Sequence, residues 1–292
     1  MDGNSNTLTR EYLDSLRIET RYMNAVVPDT AFELFGERFA SPIMTAALSH
    51  LDHDGQFRNA RSLAEGARDA GCVLWYGMGP DEEIEKLAAT GARMIEIIKP
   101  YADRSILARK IAQAERLGLM AVGIDIDHAF GGDGSPDICS GFEMRAVTTQ
   151  ELADICASTR LPVIVKGVLS RYDAEETLKA GVRGMVLSHH NNRIEYALPP
   201  LQLLGEIAEV TGGEVPLFVD CMIQTGMDAF KALCLGAKGV CIGRPLIAAM
   251  QGDPEHGVRD YLNRARGELA KAMAFTGCRD LAHMDPTIIH HA

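Results

Sequence analysis

The sequence predicts a (β/α)8 barrel, and three observations carry that expectation. Eight short apolar runs rich in β-branched residues recur along the chain, as parallel strands buried on both faces do. Stretches with helical spacing separate them. Several of these end at Gly, the residue favoured for the left-handed position just past a helix. Eight strand–helix units spread over about 250 residues match the arithmetic of the barrel. A doubly wound open sheet is the alternative, but no Gly-x-Gly-x-x-Gly follows the first run, which weakens it.

Taken in order, residues 1–38 read as an arm that precedes the barrel, and residues 39–292 as one barrel domain. Ser41–Thr45 is the first strand, followed by a helix over Gln56–Ala70 that stops at Gly71. Cys72–Tyr76 and a helix over Asp81–Ala89 form the second unit, with Gly91 beyond it. Met94–Ile98 and Ser105–Leu117 form the third, capped by Gly118, and Met120–Ile124 is the fourth strand. A loop of some twenty residues follows it, carrying GGDGSP at Gly131–Pro136; loops this long in a barrel usually carry function. A helix over Thr149–Ser158 closes that unit. Pro162–Val165 with Asp173–Lys179, Met185–Leu187 with Pro200–Val210, and Leu217–Val219 with Met227–Leu235 follow, two of the three helices stopping at Gly181 and Gly236. Val240–Ile242 is the eighth strand, with a short helix after it and a long one near Val258–Phe275.

Composition narrows the function classes. The chain has 292 residues, 29 Lys and Arg against 40 Asp and Glu, and a formal charge of −11. That balance argues against a binder of nucleic acid or of an anionic membrane surface, both of which need a basic face. No apolar run reaches the roughly 18 residues of a membrane span. The polar, acidic start MDGNSNTLTREYLDSL does not read as a secretory signal. Seven cysteines without a C-x-x-C pair, several within apolar runs, read as reduced, buried thiols. A cytoplasmic location is expected on that ground.

In this fold the loops after the strand C-termini form the active face. The residues there are Asp125, Asp127 and His128 after strand four, Lys166 at the end of strand five, Ser188, His189, His190 and Arg193 after strand six, Asp220 after strand seven, and Gly243-Arg244 after strand eight. Imidazoles, carboxylates and cations converge on one rim, a catalytic set. Lys166 suits a Schiff base or a positive charge beside an electron-rich ring. Arg244 precedes a short helix where barrels cradle phosphate. His128, His189, His190 and Asp127 are candidate metal ligands by residue type. Adjacent His side chains diverge on an extended segment, so no metal is expected.

At these residues the chain resembles the FMN-dependent α-hydroxy acid oxidases and dehydrogenases, the group of glycolate and lactate oxidases. The resemblance runs from LPVIVKGVLS through SHHNNR and DCMIQTGMDAFKALCLGA to GRP, where the family writes K-G, S-N-H-G-G-R, D-G-G-I-R and G-R-P. It implies an FMN oxidoreductase acting on a small hydroxylated, 2-hydroxy acid-like substrate. It implies His190 as base, Asp125 as its carboxylate partner and Arg193 as the anchor of the substrate carboxylate, with His189 turned away. Lys166, Ser188, Asp220, Gly243, Arg244 and Ala46 would hold the FMN; Lys99 and His128 would face the substrate. It also implies a homo-oligomer, a tetramer or larger. Departures are plain: Asn191-Asn192 stand for Gly-Gly, Cys221-Met222 for a second Gly-Gly, Gln224 for Arg, Gly123 for Thr, and Lys99 where a Tyr is expected. Two alternatives follow from them: a flavin-site barrel with isomerase or lyase chemistry, and a flavin-free descendant that binds a ligand.

Overall fold

The computed structural model describes residues 4–52 and 55–291. Residues 1–3 of the expected arm and residue 292 lie outside them. Eight parallel strands are Ile43–Thr45, Leu74–Tyr76, Met94–Ile98, Ala121–Asp125, Val163–Val168, Gly184–Leu187, Leu217–Val219 and Gly239–Ile242. From the second to the eighth each pairs with the next in sequence, and the eighth pairs back onto the first. The seam between strands one and two closes through a side chain. Thr45 Oγ1 donates to the Trp75 carbonyl at 2.9 Å and accepts from the Trp75 amide at 2.8 Å. A bridge between Leu48 and Tyr76 extends the seam upward.

The helices alternate with the strands, from Arg58–Asp69 to Gly257–Thr276. Their ends follow local chemistry. Thr148 caps the helix Thr149–Ser158 through a capping box with Glu151, and Thr225 does the same with Asp228, satisfying amides left open at a helix start. Gly71, Gly91, Gly118, Gly181 and Gly236 all have positive φ, as their positions past helix ends require.

The core has two layers. Ile95, Ile97, Ile164, Val186, Phe218 and Trp75 point into the barrel, with Trp75 and Phe218 edge to face at 5.1 Å. The other strand faces meet the helices in a larger layer. The arm contains elements that the sequence did not announce: a helix Ser5–Ser15, a strand Leu16–Ile18 and a hairpin of Phe32–Leu34 with Glu37–Phe39. Phe32 and Phe39 join the inner layer beside Val73 and Ile95, at the strand starts, so the hairpin closes the floor of the barrel. Leu16–Ile18 pairs antiparallel with Ile289–His291. The opposite end, where the strands finish, remains for the site.

Candidate active site

The rim is built from strand ends. Strand four delivers Asp125, fully buried, and turns through a short 3-10 helix, Ile126–His128. Strand five delivers Lys166 and then bulges at Gly167, whose φ is 97°. A Cβ on Gly167 would lie 2.7–2.9 Å from the Asp127 side chain, so only Gly lets Asp127 reach the rim. Strand six ends in Leu187, and the turn after it holds His190, Asn191 and Asn192 at φ 49°, 55° and 77°. Asn tolerates this left-handed region better than most residues. Cys221 and Met222 sit at φ 63° and 60°, a strained conformation for such side chains. Both turns keep a conformation suited to Gly without having Gly.

A charge network joins these ends. Lys99 donates to Asp125 at 2.6 Å, and Lys166 lies 3.4 Å from the same carboxylate. Lys166 Nζ also lies 3.0 Å from His190 Nδ1, 3.4 Å from Ser188 Oγ, 3.8 Å from Asp127 and 3.9 Å from Asp220. His190 Nδ1 meets Asp127 Oδ1 at 2.8 Å and Asp125 at 3.4 Å. On its other side, His190 Nε2 faces His128 Nε2 at 3.1 Å, the rings edge to face. His128 Nδ1 lies 2.8 Å from Asp137 Oδ2, and Arg193 donates to that oxygen at 2.5 Å.

Protonation follows from these contacts. Burial alone would raise the Asp125 carboxyl, but Lys166, Lys99 and His190 outweigh it and hold Asp125 well below the usual carboxylate range. Burial raises Asp127, and the charge of Asp125 adds to it against Lys166. Burial also acts against a charged Lys166, yet Asp125, Asp127 and Asp220 raise its pKa. His190 is raised too: burial and Lys166 oppose its charge, while Asp125 and Asp127 favour it more. Burial, Lys99 and His190 push His128 down to about 3, so it is neutral. Asp137 is held down to about 2, its burial outweighed by His128, Arg193 and Cys139. A carboxylate at Asp137 fixes the His128 proton on Nδ1, which leaves His128 Nε2 as an acceptor. His190 in its charged form therefore carries one proton on Nε2, aimed at His128, and one on Nδ1, aimed at Asp127.

A cavity of about 880 Å³ opens beside this network. Lys166, His190, Asp220, Cys221, Ala46 and Gly243 are among its lining residues, and Gln224, Arg244, Asn6, Thr7 and Arg10 line its outer part. This geometry places three of the expected site residues differently. Lys99 does not face the cavity; buried, it neutralises Asp125. Asp127, not Asp125, makes the shorter contact to His190, because the bulge at Gly167 admits it. Arg193 does not line the cavity either; its guanidinium donates to Asp137 and to the carbonyls of Asp127 and Phe130. His189 turns the other way, its Nε2 on Thr9 Oγ1 at 2.9 Å. By proximity, Asp125, Asp127, His128 and His190 form one grouping that would suit a metal, and His128, Asp137 and Cys139 another. The cations Lys166 and Arg193 already stand against the carboxylates in them.

Sequence reading missed Asp137, Cys139, Arg10 and the partnership of Asp127 with His190. The signal for Asp127 was GID125ID127H in the sequence, two carboxylates at alternate positions; nothing in the sequence marks Arg10 as belonging to the rim.

The cavity fits a flavin mononucleotide. It has the size of a cofactor pocket, a buried cation at its inner end, and a second, Arg244, at its outer end that forms no ion pair among the described residues. Bare backbone at Gly243 faces Ala46, where a Cβ would come within 3.4 Å of the Ala46 Cβ. Solved structures point the same way. Mandelate oxidase with (S)-2-phenylpropionate superposes with a TM-score of 0.88 at 27% identity, covering 99% of this chain and 89% of that one. A mandelate oxidase variant with the C4a-OH-FMN adduct gives 0.89 at 26% identity, covering 99% and 91%. The fold and its rim are those of the TIM-barrel flavin oxidoreductases. The sequence narrows this further: the chain belongs to the FMN-dependent dehydrogenase family, whose profile it matches over residues 1–149 and 138–291. Glycolate oxidase of Spinacia oleracea is 28% identical over 293 residues, 87% of this chain and 78% of the relative. Glycolate oxidase 3 of Arabidopsis thaliana is 27% identical over 301 residues, 89% and 80%. FMN is accordingly the cofactor.

Proposed function

We propose that this protein oxidises a small 2-hydroxy acid, with His190 taking the hydroxyl proton. One observation carries the reading. Nδ1 of His190 lies 2.8 Å from Asp127 and 3.0 Å from Lys166 at the edge of a cavity that fits FMN. FMN, when bound, supplies the two-electron acceptor. Lys166, Ser188, Asp220, Ala46, Gly243 and Arg244 would hold it, and Lys166 brings fixed positive charge. Asp127 and Asp125 stabilise the imidazolium that His190 becomes. His190 acts as a base through Nε2 once that nitrogen has lost its proton, the other proton staying on Nδ1 toward Asp127 while neutral His128 holds the ring in place. Arg193 meets the substrate carboxylate by exchanging Asp137 for it; a bidentate fork suits that role.

Among the described residues no helix is long and apolar enough to cross a membrane. All seven cysteines are free thiols, which supports a reducing, cytoplasmic setting. The apolar side chains exposed at Tyr22, Met23, Val26 and Val27 support a homo-oligomer.

The test is an absorption spectrum of the purified protein, then anaerobic mixing with a panel of 2-hydroxy acids. Flavin absorption that bleaches with one of them is expected. A protein with bound FMN that no hydroxy acid bleaches overturns the substrate class. His190→Ala keeps the flavin and loses about 10²–10⁴-fold in turnover, the typical worth of a positioned base.

A further inference from the structure

We propose that Arg10, on the helix before the barrel, is a phosphate-binding residue of the FMN site, so that cofactor binding also pins that helix. The inference rests on the reading that the cavity holds FMN. Charge fixes which end takes the phosphate. At the inner end Lys166 is already shared by Asp125, Asp127 and Asp220, all within 3.4–3.9 Å. A phosphate dianion there would face three carboxylates. At the outer end Arg244 meets only Met222 Sδ, at 3.4 Å, among the described residues, and Gln224 adds no charge.

Arg10 completes that end. It lines the cavity with Asn6 and Thr7, and its Nη1 donates to the Met222 carbonyl at 3.2 Å. Its Nη2 donates to Asp228 and Asp14, each at 2.8 Å. Asp228 is buried and holds the guanidinium in place, whereas Asp14 is 65% exposed, a weak, screened partner that an anion can replace. Glu11 also lines the mouth, but it is exposed to water. The Nε of Arg10 is buried and has no hydrogen-bond partner among the described residues. A guanidinium offers five N–H donors in one plane, and leaving a buried donor without an acceptor is unfavourable. A phosphate oxygen would supply that acceptor.

The helix carrying Arg10 is fastened over the two turns where Gly is missing. The Ser5 amide donates to Asn192 Oδ1 at 2.8 Å, Asn6 donates to Asn191 Oδ1 at 2.9 Å, and Thr9 bonds His189. Asn191 and Asn192 thus give the turn side chains that hold the helix, which bare Gly lacks.

The full chain, freed of flavin, is titrated with FMN and with riboflavin, which lacks the phosphate, and binding is read from flavin fluorescence. Wild type is expected to prefer FMN. R10A should lose about ten- to hundredfold in FMN affinity while riboflavin affinity stays within about twofold. Damage to the fold would lower both affinities together, so the ratio isolates the phosphate. R10K keeps the charge beside Asp228 but lacks the planar fork, and it should lose part of the preference; it carries the test if R10A does not fold. An unchanged FMN-to-riboflavin ratio in these variants overturns the role of Arg10. A wild-type chain that takes up neither flavin overturns the FMN reading itself.

Discussion

His190 has a different partner on each ring nitrogen, and the two partners set different properties. On Nδ1, Asp127 and Asp125 raise its pKa against burial and Lys166. A base with a raised pKa works only once pH has climbed past it, so kcat/KM should rise with pH with a midpoint above the ordinary 6.5. D127N removes one of the two supports, and a pH profile should show that midpoint moving down. A midpoint that stays put excludes His190 as the titrating base. On Nε2, neutral His128 faces the ring at 3.1 Å and fixes its orientation. H128Q keeps an acceptor there, so stopped-flow reduction should stay within about tenfold of wild type, whereas H128A should lose more than that. Equal rates in both variants would remove His128 from the positioning of His190. Asp137 occupies the Arg193 fork that a substrate carboxylate needs. D137N keeps an acceptor for His128 but loosens Arg193, so steady-state kinetics should show a lower KM, and an unchanged KM removes Arg193 as anchor.

Elements with an apolar signature were legible in the sequence. Met94–Ile98, Leu217–Val219 and the helix Thr149–Ser158 fall where the apolar runs and the cap at Thr148 set them. The helix Ser5–Ser15 was not legible, and its burial says why. It buries Ser5, Thr9 and Leu13, one face of mainly polar groups held by hydrogen bonds to the turn after strand six, so no apolar stripe betrays it. The apolar run predicts that strand five ends at Val165, whereas it runs to Val168 through the bulge at Gly167. That bulge decides which carboxylate reaches His190, and a bulge leaves no periodic signature. G167A forces a Cβ into the Asp127 side chain at φ 97°. It should cost on the order of 1–3 kcal/mol, seen as a lower Tm, together with a shifted pH midpoint for turnover. A variant that melts and titrates like wild type would show that the bulge has no such constraint.

On the scale of the whole molecule, the strand count and order were predictable because buried parallel strands carry their own signature. The rim's pairings were not, since they depend on which strand ends face each other across the barrel. Lys99 and Asp125 are 26 residues apart, and His128 and His190 are 62 apart. The exposed apolar segment offers a test at this scale. Met23 and Val27 are 88% and 94% exposed. If copies associate through them, the double variant M23D/V27D should elute smaller than wild type in size-exclusion chromatography with light scattering. Equal masses would move the interface elsewhere.

The pairing of Leu16–Ile18 with Ile289–His291 has a consequence for synthesis. A ribosome adds roughly 5–20 residues per second, so the early strand waits roughly 15–50 s for its partner. During that interval the barrel can assemble strand by strand, while the segment that carries Arg10 has no β-strand to join. The wall of the cavity made first, already held at the turns after strands six and seven, therefore gains its strand anchor last. Nascent chains should hold flavin less firmly until Ile289–His291 have emerged and paired with the early strand.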